Sequence, residues 1–308
     1  MEDNGIYCFQ VGEDTMENQR IDKVLGLALP SLSRSYIQKL LKEGLAAVNG
    51  TTVKPNYRVK CGDDVRLELP PATEPDILPE EMPLDILYED EDVLVVNKPK
   101  GMVVHPAAGH PTGTLVNGIM AHCKGNLSGI NGIMRPGIVH RIDKDTTGSV
   151  IICKNDAAHS HIAAQLKDHS VVRHYHAICY GVLEEDERTV CAPIGRHPTD
   201  RKKMAVNEKN GKHAVTHIRV LKRFHGYTYV ECRLETGRTH QIRVHMASIG
   251  HPLLGDTVYA PGRTSPYKLE GQCLHAKVLG FRHPRTGEYI GTDAPLPEYF
   301  VHLLEVLK

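Results

Sequence analysis

His140-Arg141-Ile142-Asp143-Lys144-Asp145-Thr146-Thr147-Gly148 sets one carboxylate, Asp143, beside two cations and ahead of a Thr-Thr-Gly turn. A carboxylate held among cations keeps its charge and its reactivity, and a strand behind it keeps its position. The apolar run Val150-Ile151-Ile152 reads as that strand. Taken alone, such a cluster is more often a surface ion pair beside a turn. Two further segments stand out. Arg173-His174-Tyr175-His176-Ala177 offers a tyrosine on an alternating strand, and Glu235-Thr236-Gly237-Arg238-Thr239-His240-Gln241-Ile242-Arg243-Val244-His245 is dense in basic and hydroxyl side chains.

The elements that must position these groups read as α+β. Val93 to Val96 is a buried strand, and Tyr175 to Tyr180 and Tyr227 to Leu234 are two more. Residues 155–168 form a helix capped by Asn155 or Asp156. Met246 to Ile249 read as helix stopping at Gly250, and Tyr299 to Leu307 as an amphipathic helix. Nearer the N-terminus, Ile21, Val24, Leu25 and Leu27 mark one helical stripe. Ser33 caps a second helix that carries Ile37, Leu40 and Leu41 and ends at Gly44. Val48-Asn49-Gly50-Thr51 is a tight hairpin turn, and Val65 to Leu69 alternates as a strand. Prolines 70, 71, 75, 79 and 83, interleaved with acidic residues, indicate a linker. The expected division is an acidic tail (1–18), a small basic domain (19–70), the linker (71–84) and a large domain (85–308).

At 308 residues, 41% hydrophobic and 24% charged, the chain has the composition of a globular protein able to bury a core. It holds no apolar run long enough to span a membrane and no basic-apolar leader, so a cytoplasmic protein is expected. Eight scattered cysteines without a Cys-x-x-Cys pair read as free thiols. The net charge of zero conceals a pattern: −5 over 1–18, +4 over 19–69, −9 over 70–92 and +10 beyond. Both prospective domains are basic, which suits a polyanionic partner, since phosphate attraction depends on local charge. The basic loops Lys98-Pro99-Lys100-Gly101 and Gly195-Arg196-His197-Pro198, the latter followed by Arg201 and Lys202, are candidates to follow a phosphate backbone. Nineteen histidines raise the question of a metal, but none has zinc-protease or zinc-deaminase spacing, and no Walker loop or Gly-x-Gly-x-x-Gly occurs.

These segments, with Leu274-His275-Ala276, occur in the order found in the RluA family of pseudouridine synthases, which the chain resembles over about residues 19–305. The chain departs in small ways: Ile142 stands where that family usually has Leu, Thr147 where it has Ser, and Arg173 where it has Lys. Arg20-Ile21-Asp22-Lys23, Ser33-Arg34-Ser35 and Val48-Asn49-Gly50 resemble the S4-type RNA-binding module. The resemblance implies a mixed, mainly antiparallel sheet preceded by a small S4-like (αL) domain. It also implies isomerisation of uridine to pseudouridine in RNA, with large-subunit (23S) ribosomal RNA as the expected partner and a monomer as the expected state. Asp143 would be the catalytic carboxylate, by addition to C1′ or by abstraction of the C2′ proton. Tyr175 would stack on the base, Arg243 would pair with Asp143, and Leu274 and Ala276 would wall the uracil. Arg141, with His140, would enter the RNA as the base leaves, and Arg34, Lys39, Lys42, Arg196, Arg201 and Lys202 would contact the strand. Moving a glycosidic bond from N1 to C5 is redox-neutral, so no cofactor or metal is expected. The competing class is a noncatalytic RNA-binding or ribosome-assembly factor on the same fold. Loss of Asp143, Tyr175 or Arg243 would favour it, and all three are present.

Overall fold

A computed structural model describes residues 6–12, 17–29, 32, 34–70, 77–106, 109–130, 136–200, 203–263 and 265–308. The chain divides into two units, Met1–Asp76 and Ile77–Lys308.

In the first unit, β1 (Ile6–Gln10), α1 (Ile21–Ala28), α2 (Arg34–Lys42), β2 (Ala46–Val48), β3 (Thr51–Thr52) and β4 (Asp64–Glu68) follow in order. The sheet is antiparallel, ordered β1-β4-β2-β3. Ile21, Val24 and Leu25 of α1 meet Ile37 and Leu40 of α2 over Val48, Val65 and Leu67 in one core. Asn49 and Gly50 both take positive φ (49° and 80°), as a two-residue hairpin requires. Two expectations are corrected. Residues 6–10, expected within a tail, form β1, because Ile6-Tyr7-Cys8-Phe9 is strand-prone and β4 offers an edge. Leu27, expected on the buried stripe, is 59% exposed. The expected cap Ser33 lies outside the described residues.

The second unit contains β5 (Ile86–Glu89), β6 (Val93–Lys98), α3 (Leu115–Cys123), β7 (Thr147–Cys153), α4 (Asp156–Lys167) and β8 (Val172–Tyr180). After these come β9 (Glu187–Cys191), β10 (Ile194–Arg196), β11 (Met204–Val206), β12 (Val215–Phe224) and β13 (Tyr227–Leu234). The last elements are α5 (Gln241–Ser248), β14 (Leu274–Arg282), β15 (Tyr289–Asp293) and α6 (Glu298–Val306). Nine strands form one sheet, ordered β5-β6-β7-β14-β8-β13-β12-β9, with β15 also on β14. Its pairings are antiparallel except β7 with β14, where Thr147 faces His275 and Gly148 faces Ala276. Gly148 has φ +107°, and a Cβ there would lie 2.3 Å from the Ala276 carbonyl oxygen, so only glycine allows this crossing.

Most elements follow the sequence pattern. Asn155 caps α4 by accepting the Ala158 N–H, and α5 begins five residues before the expected Met246. Helix α3 was not anticipated; the Thr114–Asn117 capping box that starts it is its signal. Part of the expected linker packs here: the Asn117 amide donates to Leu78 O at 2.7 Å, and Asn117 O accepts from Glu80 N–H at 3.0 Å. The main core joins Leu94, Val96, Val150 and Ile152 with Ile119, Tyr175, Ile242 and Leu274, so the candidate residues rest on rigid strands.

Candidate active site

Asp143 lies in the loop that leads into β7, and that loop is held from beneath. The Lys98 ammonium is fully buried and donates to three carbonyls, Pro99 O (2.9 Å), Met102 O (2.8 Å) and Lys144 O (2.9 Å). Burial pulls Lys98 down to about 7, opposed by Asp145 and Asp143. Three acceptors around one nitrogen nevertheless match the three N–H groups of the ammonium form. Gly101 N–H donates to Lys144 O (3.1 Å), Thr146 N–H to Asp143 O (3.1 Å), and the Gln272 amide to Thr146 Oγ1 (3.1 Å).

Helix α5 faces this loop. Gln241 fixes its start: Oε1 accepts from Thr236 Oγ1 (2.7 Å) and Arg238 N–H (2.9 Å), and Nε2 donates to Val215 O (2.9 Å). Two residues on, Arg243 spans two carboxylates. Its Nη1 donates to Asp143 Oδ2 at 2.8 Å, while Nε and Nη2 donate to Asp256 at 2.7 and 3.0 Å. The Asp256 side chain is fully buried and also accepts the Val258 and Tyr259 N–H groups. Burial works against the Arg243 charge, but Asp256 and Asp143 outweigh it and raise its pKa. The guanidinium carbon lies 5.0 Å from the centre of the Tyr259 ring. With one edge committed to Asp256, Arg243 presents a single N–H to Asp143.

A cleft surrounds the pair, lined among others by Arg141, Thr146, Tyr175, Arg238, His240 and Leu274. Tyr175 is buried, and burial raises its phenol pKa. Arg238 is anchored by donating Nε to His213 O (3.0 Å). Apolar walls, one carboxylate paired to one arginine, and a buried phenol describe a site that can hold a flat ring beside a carboxylate oxygen.

Residues 92–248 match the family model described as RNA pseudouridylate synthase, and residues 19–65 match the S4 domain model. The chain belongs to the RNA pseudouridylate synthase family. It is 55% identical over 295 residues to an uncharacterized RNA pseudouridine synthase of Bacillus subtilis, covering 96% of each chain. It is 44% identical over 303 residues to the ribosomal large subunit pseudouridine synthase D of Zymomonas mobilis, covering 96% of this chain and 95% of that one. A solved structure, human RNA pseudouridylate synthase domain containing 1, is 26% identical with a TM-score of 0.57, over 69% of this chain and 83% of that one.

Several residues of this synthase sit otherwise than the sequence led us to expect. His140 is not presented to a strand of RNA: its Nε2 accepts the Ile151 N–H at 3.0 Å. Burial, with Arg173 adding, lowers it to about 4, so it is a neutral strut between loop and β7. Lys98 is the loop anchor just described, and Lys100 sits over the Tyr299 ring at 4.1 Å, with burial lowering its pKa. The loop turns both stems inward: Lys98 is fully buried, and half-buried Lys100 donates to Gly271 O at 3.3 Å. Leu274 lines the cleft; Ala276 lies two residues further along β14, in the core opposite Gly148 and Tyr175. Arg34 is tied to the buried Asp22 at 3.2 Å, and Lys39 lies 3.8 Å from Glu43. Exposed Lys42 borders a recess with Arg20, Lys54 and Asn56. Arg196 is exposed on β10, and Arg201 and Lys202 lie outside the described residues. Asp256 and Tyr259 were missed as site residues, and Lys98 was expected in a different role; the Leu-Leu-Gly-Asp context of Asp256 reads as an ordinary turn.

Among the described residues, Asp90, Asp92 and His283 are the one group close enough to share a metal ion. Their atoms already serve one another, Tyr88, Asn155 and Arg285, with Arg285 Nε 2.8 Å from Asp92. No described helix is long and apolar enough to cross a membrane.

Proposed function

We propose that this synthase isomerises uridine to pseudouridine in large-subunit ribosomal RNA, with Asp143 as the catalytic carboxylate. The observation that carries the reading is the meeting of Asp143, Arg243 and Tyr175 in one cleft, from segments as much as 100 residues apart. The likeness to relatives named for the ribosomal large subunit supports the substrate class. In the reaction the C1′–N1 bond breaks, the uracil turns in the cleft, and C1′ joins C5. The C5 proton leaves and N1 gains one, so composition is unchanged. Asp143 acts at the sugar, Tyr175 and Leu274 flank the base, and Arg243 holds the carboxylate in place. The nucleotide must leave its stack to reach this depth. Arg141 and Arg238 both line the cleft without a carboxylate partner among the described residues, and they suit the flanking phosphates. The first unit supplies docking through exposed cations such as Lys39 and Lys42.

The test is Asp143→Asn, nearly isosteric but a poor nucleophile and base. Tritium release from C5-labelled RNA of a strain lacking the protein should be abolished, with thermal stability and most RNA affinity retained. Pseudouridine mapping in that strain should show missing sites in the large-subunit RNA. Activity within tenfold of wild type would move the chemistry to another residue, and missing sites confined to other RNAs would reassign the substrate.

A further inference from the structure

His240 also lines the cleft, beside Asp143. It begins α5 in the left-handed region, φ 57°, a conformation uncommon for a residue that carries a Cβ. Its Nδ1 lies 2.8 Å from the Tyr259 hydroxyl, and its Nε2 lies 3.7 Å from Asp143 Oδ1. The rings of His240 and Tyr259 meet edge to face, with centroids 5.7 Å apart.

Tyr259 Oη accepts the Met204 N–H at 2.9 Å, and its own proton can go to His240 Nδ1 at 2.8 Å. A ring nitrogen that accepts there must carry its proton on the other nitrogen. In that arrangement His240 is an Nε2–H donor, and the donor faces Asp143. Burial lowers the imidazole pKa against the attraction of Asp143, while Arg243 and Arg141 oppose a second proton and Asp256 favours one, so the neutral ring is the working form.

The two carboxylate oxygens of Asp143 consequently have different surroundings: Oδ2 takes the Arg243 N–H, and Oδ1 faces His240 beyond hydrogen-bond range. We propose that His240, locked as the Nε2–H tautomer by Tyr259, is a positioning residue that presents Asp143 Oδ1 to the nucleotide. The gap closes to a hydrogen bond with a shift of under about 1 Å, and unliganded active sites commonly tighten in this way. His240 is by the same logic a donor and cannot take up the C5 proton at Nε2. The inference rests on the proposed isomerase reading and adds a residue to it.

Amide substitutions separate this role from a backbone one. Gln places its side-chain N–H near the position of His Nε2, whereas Asn reaches only Nδ1 but tolerates the left-handed backbone far better. Single-turnover tritium release from C5-labelled RNA of a strain lacking the protein, with RNA Kd measured in parallel, should rank them. We expect His240→Gln within about fivefold of wild type, and His240→Asn and His240→Ala slower by roughly 10²-fold, as for loss of one preorganised donor. RNA Kd should stay within about threefold throughout. Tyr259→Phe keeps the ring against Arg243 and removes only the hydroxyl. It should slow the enzyme that retains His240 by about tenfold and the His240→Gln enzyme hardly at all, a coupling that a shared structural effect would not produce.

A wild type that releases tritium, with His240→Asn outperforming His240→Gln, overturns this inference alone. An unchanged rate in Tyr259→Phe, or equal slowing in both backgrounds, overturns the tautomer lock even if the His240 variants fold poorly. A wild type that releases no tritium overturns the proposed function and this inference with it.

Discussion

Replacing Arg243 by methionine should damage catalysis and stability through two different carboxylates, and the two losses can be separated. Arg243 is 6% exposed and makes three hydrogen bonds, one to Asp143 and two to the fully buried side chain of Asp256. Methionine keeps much of the stem volume and none of the donors. Removing one partner of a buried ion pair costs about 3–5 kcal/mol, chiefly from the charge left behind. Here that charge is Asp256, which would retain only the Val258 and Tyr259 N–H groups. The loss at Asp143 is the part that catalysis feels. One charge-assisted hydrogen bond to a reacting group, about 3–4 kcal/mol, corresponds to about 10²- to 10³-fold in rate. Adding Asp256→Asn removes the stranded buried charge, so the double variant should regain much of the thermal stability of wild type. It should remain as slow as the single variant, because Asp143 still lacks its partner. Tritium release, thermal unfolding and RNA filter binding measure the three quantities. Weakened RNA binding with near-normal turnover at saturation would make Arg243 a phosphate contact. Recovery of activity along with stability in the double variant would show that the bond to Asp143 is not needed.

A chain beginning at Ile77 should fold and keep Asp143-dependent turnover at high enzyme concentration, because Ile77 is buried and Leu78 O and Glu80 N–H bond to Asn117. Its RNA affinity should fall, with the salt dependence shallower by roughly 0.7–0.9 logarithmic units per lost phosphate contact. An unchanged slope and affinity would remove the docking role from the first unit. His140 and His275 are both lowered by burial from 6.5 to about 4, so unfolding binds protons that the fold excludes. Their contribution is complete above about pH 6.5 and is lost as pH falls towards 4. The slope is at most about 1.4 kcal/mol per pH unit for each proton. Denaturant midpoints across that window should decline, and His275→Asn should make the decline shallower; an unaltered slope would show that His275 does not stay neutral.

What the sequence determined by itself is local. Asp143, Tyr175 and Arg243 could be picked out because the short segments that hold them resemble, in residue type and order, those of a known family. Helix α4 and the strands β6, β8 and β13 follow from periodicity and a cap, which depend on near neighbours. Side-chain direction and partners distant in sequence depended on the tertiary fold. Lys98 reads as a basic loop residue, yet the turn after β6 drives it inward to bind Lys144 O, 46 residues away. Asp256 and Tyr259 gain their roles only because the turn after α5 folds back onto Arg243 and His240. The parallel seam of β7 and β14 joins residues 128 apart and requires Gly148, whose need for φ +107° no neighbouring residue announces. His140 was expected at the RNA and Arg243 beside Asp143; only packing made the first a neutral strut and tied the second to Asp256 as well. The physical reason is the same in each case. Propensity and capping act over a few residues, whereas desolvation and ion pairing are set by whatever the folded chain brings within about 4 Å.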